Sequence, residues 1–173
     1  MLGTIASART PNLLLMEYLP DLTSVRSLVG IHRHGLSALA IVKRTPLAST
    51  ARRAGWVGCN IDLDMVPALV RVALISRGHA RPWPELREEW GRLAFMVQLR
   101  PESLGWLRDV LACVQELPVG EFSLSDLYRF ESTLGRVHPE NRNVRPKIRQ
   151  QLQVLVAQGL IRRARPGLYT RDR

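Results

Sequence analysis

The segment from Asn141 to Gly159 constrains this chain most, because its residue order suits one structure, an amphipathic helix marked at both ends. Asn143 stands where an N-cap belongs, Pro146 falls in the first turn and Gly159 lies just past the end. Ile148, Leu152 and Leu155 recur at i, i+4 and i+7 and face a core, with Val156 beside them. The opposite face carries Lys147, Arg149, Gln150 and Gln153, residue types that bind phosphate oxygens or pair with base edges. Beyond Gly159, Leu160 to Tyr169 reads as two short strands around Pro166-Gly167, with Arg162, Arg163 and Arg165 on them. A polar, basic helix followed by a basic hairpin is the order of a winged helix-turn-helix, and it points to duplex DNA as the partner.

Charge follows the same geography. The chain carries +10 overall, yet residues 136–173 hold nine Arg and one Lys against Glu140 and Asp172, a net +8. The first 135 residues contribute only +2. Such concentration is an electrostatic footprint for a polyanion, the bland alternative being a solvated basic surface. Of the 25 basic residues only Lys43 and Lys147 are lysine, a bias that a GC-rich coding sequence also produces and that carries no mechanistic weight. At 173 residues and 46% hydrophobic, the chain can bury a core as one domain or two small ones. No apolar run is long enough to span a bilayer and no signal segment opens the chain, so a cytoplasmic location is expected. Cys59 and Cys113 stand alone, without the spacing of a disulfide framework or a zinc site.

Residues 1–10 carry no strong signal. Asn12 to Leu19 is a nearly continuous apolar run, which predicts a buried strand, and Pro20-Asp21 a turn. Val25 to Ile31 and Leu39 to Val42 read as further strands. His32-Arg33-His34 lacks a third ligand nearby and reads as a solvated loop rather than a metal site. Thr45 to Leu63 is mostly loop, and Lys43, Arg44, Arg52 and Arg53 make a second basic group. Within it Trp56, between Gly55 and Gly58, either stacks on a base or closes a local core. Asp62 and Asp64 point the same way on a strand, but without a third acid or a lysine they read as loop or cap residues rather than a metal pair.

Val70 to Ser76 is a strand turned by Arg77-Gly78, and Pro82-Trp83-Pro84 is a break. Leu86, Trp90, Leu93 and Val97 give helical spacing over 85–99, as packing rather than a ligand box. Pro101 marks a boundary, so the expected units are 1–100 and 101–173. The second parses as three helices and a wing: one helix capped by Ser103 and running through Glu116, one from Ser123 with Asp126 as a near capping box, then a polar linker with His138-Pro139 leading to the third.

Three stretches, Ala51 to Ile61, Leu127 to Glu131 and Lys147 to Leu155, closely resemble the DpnI-like, Dam-replacing family of restriction endonucleases, and the resemblance runs from about residue 12 to the C-terminus. It implies an α+β fold in which part of a PD-(D/E)XK nuclease sheet precedes a C-terminal winged helix-turn-helix. It also implies action on DNA methylated on adenine at GATC, with both parts touching the duplex. Arg52, Arg53 and Trp56 would then lie on the nuclease part's DNA-facing surface. The stretch Arg149-Gln150-Gln151-Gln153 would lie in the recognition helix.

The chain also departs from the family. A PD-(D/E)XK site needs carboxylates for Mg²⁺ and a lysine two residues after one of them. Ile41 stands two before Lys43 and Arg145 two before Lys147, so no register supplies the motif. The family's cysteine-rich zinc-binding stretch is missing as well. The expectation is a family member without the N-terminal catalytic part: no catalytic residues, no cofactor in this chain although the intact family uses Mg²⁺, and double-stranded methylated GATC DNA as partner. The expected DNA contacts are Arg52, Arg53, Trp56, Arg145, Lys147, Arg149, Gln150, Gln153, Arg162, Arg163 and Arg165. The alternatives are a winged-helix regulator of transcription and an interaction protein whose basic tail is merely solvated.

Overall fold

Residues 12–171 are described by the computed structural model; the opening residues 1–11, and Asp172 and Arg173 of the basic tail, lie outside them. Leu13–Leu19 (β1) and Ser24–Ile31 (β2) form an antiparallel hairpin. The chain reverses between them through a single 3-10 turn at Pro20–Leu22, closed by Thr23 in the left-handed region. Arg71–Ser76 (β5) pairs with the other side of β2, and His79–Ala80 (β6) returns along β5 after the Arg77-Gly78 turn. The four strands are ordered β1-β2-β5-β6, antiparallel throughout.

β1 is therefore an edge strand, not the buried strand its apolar run predicts. Leu14, Met16 and Tyr18 are 65%, 61% and 46% exposed on one face, while Leu13 and Leu15 pack against the core on the other. A continuous apolar run cannot distinguish burial of both faces from burial of one. Trp83–Gly91 (α1) covers the inner part of the same sheet, with the Trp90 ring over Gly30 so closely that an added Cβ would stand 3.2 Å from it. Arg81 fastens this helix to β6 through Glu89 at 2.8 and 3.0 Å and Glu85 at 3.2 Å. α1 is shorter than the helix expected over 85–99 and begins at Trp83, with Pro84 in the first turn where its missing N–H costs nothing. After Gly91 the chain tightens into a 3-10 segment, Ala94–Gln98, whose three-residue period buries Leu93 and Met96 and turns Val97 outward.

The loop around His32 is not solvated. His32 is 6% exposed, edge-on to Trp90 at 5.1 Å, and its Nδ1 accepts the His34 N–H at 3.3 Å. Ile41–Lys43 (β3) and Cys59–Ile61 (β4) make a separate two-stranded arm carrying the long loop 44–58. Asp62 and Asp64 fall beyond β4, and the Asp62 carboxylate accepts the Asp64 N–H at 3.0 Å, a turn geometry.

Pro101–Glu116 (α2) is the hub. Its N-cap position is Arg100 rather than Ser103, because Pro101 opens the helix and holds the preceding residue extended. Every residue from Trp106 to Val114 is buried. One side meets Val144–Ala157 (α5); another meets the sheet-bearing part, where Ser37 Oγ donates to Asp109 and Ala68 N–H reaches Gln115. One hydrophobic cluster runs from Ile31 and Val70 through Leu107 and Val110 to Ile148 and Leu155.

The remainder is a winged helix. Gly120–Ser123 (β7), Leu168–Arg171 (β9) and Arg162–Arg165 (β8) form a sheet in the order β7-β9-β8. Leu124–Tyr128 (α3) begins at Ser123 with a closed capping box: the Asp126 N–H donates to Ser123 Oγ at 3.2 Å and the Ser123 N–H to Asp126 at 2.8 Å. Aspartate therefore closes the box as glutamate would. The stretch expected as a polar linker is helical as far as Val137, forming Glu131–Val137 (α4). The chain is α+β, and among its described residues no helix is long and apolar enough to cross a membrane.

Candidate nucleic-acid interface

α5 has the two faces its spacing predicts. Ile148, Leu152 and Leu155 are fully buried, and Val144 and Gln151 join them. Asn143 occupies the N-cap position without a side-chain cap; its own N–H is held by Asn141 at 2.8 Å. The C-terminus is closed by Gly159 at φ +68°, with the Gly159 N–H donating to Val156 and the Leu160 N–H to Leu155. These paired bonds are a Schellman motif, which satisfies the last carbonyls and starts β8 in its direction.

The outward ridge of α5 carries Arg145, Arg149, Gln150 and Gln153, with Arg142 exposed just before the helix begins. Lys147 departs from this ridge. Its side chain is only 17% exposed and its Nζ lies 3.8 Å from Glu102 at the start of α2. Gln151 faces the core. The ridge therefore presents arginines for phosphate and two amides that both donate and accept, the pattern that suits the adenine N6 and N7 edge.

Two of these arginines are held from below. Arg145 Nε donates to Glu131 at 2.7 Å, and its guanidinium lies 4.9 Å from the centre of the Tyr128 ring. Arg149 donates to the Tyr128 hydroxyl at 2.9 Å. Composition and spacing assigned Tyr128 to packing and left Glu131 without a role; an aromatic one turn above a carboxylate, facing a basic helix, is the signal that could have found them.

The wing supplies a second basic edge. Arg162, Arg163 and Arg165 are exposed on β8, and a bulge at Ala164 turns the strand just before the Pro166-Gly167 turn. Arg171, at the end of β9, faces inward instead and donates to Gln115 and to the carbonyls of Gln115 and Leu117.

The third basic group is the arm. Arg52 and Arg53 are exposed at its tip, and Trp56 is 54% exposed. The ring rests over Gly58, where a side chain would come within 3.1 Å of it and 3.5 Å of Arg44 Cδ. Backbone bonds from the Leu47 N–H to Trp56 and from the Arg44 N–H to Gly58 brace the loop. Trp56 thus touches its own arm at Gly58 and keeps much of its surface open, rather than closing a core.

The Asp62 carboxylate accepts the Asp64 N–H, so these two residues shape a turn after β4. Among the described residues no three His, Cys, Asp or Glu side chains gather as a metal site. A model described as the Dam-replacing family matches residues 1–99, and one described as a Dam-replacing HTH domain matches residues 102–171.

Proposed function

This chain belongs to the Dam-replacing family, and from that premise we propose that it binds double-stranded DNA through its winged helix, prefers adenine-methylated GATC, and does not cut by itself. The observation that carries the reading is the ridge of α5, where Arg145, Arg149, Gln150 and Gln153 stand exposed on one helix face above a basic wing. Arg145 and Arg149 engage phosphates and fix the register; Gln150 or Gln153 reads adenine. Arg162, Arg163 and Arg165 follow the backbone beside the groove. Arg52, Arg53 and Trp56 form a second contact, with the indole as an apolar surface for the methyl group.

Residues 1–100 are taken as part of a PD-(D/E)XK nuclease domain and 101–173 as the DNA-binding domain. The inactivity rests on the lysine registers, where Ile41 and Arg145 stand in place of acids. No Mg²⁺-dependent step is assigned to these residues.

The test is duplex binding followed by fluorescence anisotropy on fully methylated, hemimethylated and unmethylated GATC, at two salt concentrations, with Mg²⁺ and a parallel cleavage gel. A handful of phosphate contacts makes affinity fall roughly a hundredfold or more between ~50 and ~200 mM salt. Methyl preference without cleavage is the expected result. Equal affinity for all three duplexes would refute the methyl reading, and cutting of methylated DNA would refute the inactivity.

A further inference from the structure

Arginine side chains lose rotamer freedom when they engage a phosphate, so a protein that presets them binds more tightly with the same charges. On α5, Arg145 and Arg149 are one turn apart, and both rest on the same residue of α3. The Tyr128 ring lies under the Arg145 guanidinium, and the Tyr128 hydroxyl accepts from Arg149 Nη1. These contacts use two distinct parts of one side chain, so a single tyrosine sets the spacing of both guanidinium groups. They also leave most N–H donors of each arginine uncommitted, since Arg145 gives its Nε to Glu131 and Arg149 gives one N–H to the hydroxyl.

We infer that Tyr128 is a positioning residue for DNA binding, holding Arg145 and Arg149 in register before the duplex arrives. The inference rests on the DNA-binding reading above and adds to it an unequal division between the two arginines. Glu131 partly neutralises Arg145, whereas the uncharged hydroxyl leaves Arg149 its full charge. Arg149 is therefore the stronger phosphate contact of the two.

The experiment is a double-mutant cycle on a duplex carrying methylated GATC, followed by anisotropy across a salt series for the unmodified chain, Tyr128→Phe, Arg149→Ala and the double variant. Tyr128→Phe removes the hydroxyl and keeps the ring. It is expected to weaken binding about three- to tenfold, the net range of one ordinary hydrogen bond, with the salt slope unchanged. Arg149→Ala is expected to lower the slope by about one, and the double variant to bind no more weakly than Arg149→Ala alone. Unchanged binding by Tyr128→Phe, or losses that multiply in the double variant, would overturn the inference. So would a lowered melting temperature for Tyr128→Phe together with multiplying losses, the signature of a brace between α3 and α5. A parent chain that shows no salt-sensitive binding removes the DNA reading itself, a result distinct from multiplying losses.

Discussion

Gln153 is one of two exposed amides on the α5 ridge and belongs to base recognition in the proposed function. Gln153→Ala is expected to cost about 1–3 kcal/mol of discrimination between matched and mismatched duplexes, with little change on nonspecific DNA. Equal weakening on every sequence would reassign it to phosphate. A second residue-scale outcome concerns His32, whose pKa is lowered from 6.5 to about 4 by burial first and then by the charges of His34 and Arg33. The unfolded chain binds a proton there near pH 6.5 and the folded chain only near 4. Stability from the neutral ring is therefore complete above pH 6.5, falls through that window, and is absent below about 4. Unfolding free energies from urea titrations between pH 7 and 4 should drop by up to about 3 kcal/mol, and His32→Gln should flatten the curve. A midpoint in the parent chain that does not move with pH would contradict it. The alternation on α5 was legible in the sequence because core and ridge sides differ by simple hydropathy. The orientation of Lys147 was not, since nothing local reveals that Glu102 sits beside it in space.

Among the elements, the end of α5 tests how far local signals carry. Gly159 at φ +68° has open space around an added Cβ, so Gly159→Ala meets no clash and only the left-handed backbone resists it. The expected loss is about 1 kcal/mol. Thermal unfolding that fails to register it would mean the Schellman closure is not needed. Ser123→Ala, which opens the capping box of α3, should cost a similar amount, about 1 kcal/mol. Both ends were readable from residue type. α4 was missed because its sequence, Glu131 to Val137, contains Ser, Thr and Gly and is too short to show a period; α5 holds it in helical form by packing. β7 is four residues long and exists because β9 supplies its partner. The edge position of β1 depends likewise on which strands come later in the chain.

For the molecule as a whole, the decisive element is α2, with its polar contact at Asp109. Ser37 Oγ donates to one carboxylate oxygen, and His138 Nε2 lies 2.7 Å from the other with its ring stacked 4.0 Å from Trp106. Asp109→Ala would leave buried polar partners unmatched on two sides, at a cost of roughly 3 kcal/mol. Because the hydrophobic cluster is continuous, unfolding monitored by tryptophan fluorescence and by helical circular dichroism should coincide in one transition. Two separated transitions would mean that the halves melt alone. The boundary suggested by Pro101 follows backbone chemistry, whereas this shared core arises from contacts far apart in the chain and was invisible to local reading.

The burial of α2 on several sides bears on inheritance as much as on stability. A winged helix that ended its own core at its own surface could be moved to a new host by recombination with little repair. Here a gene fusion cut at residue 100 would carry away Asp109 and Gln115 without Ser37 and Ala68, and the new neighbour would have to replace both. Winged helix and sheet are thus coupled through α2, and a transplant would have to rebuild both contacts.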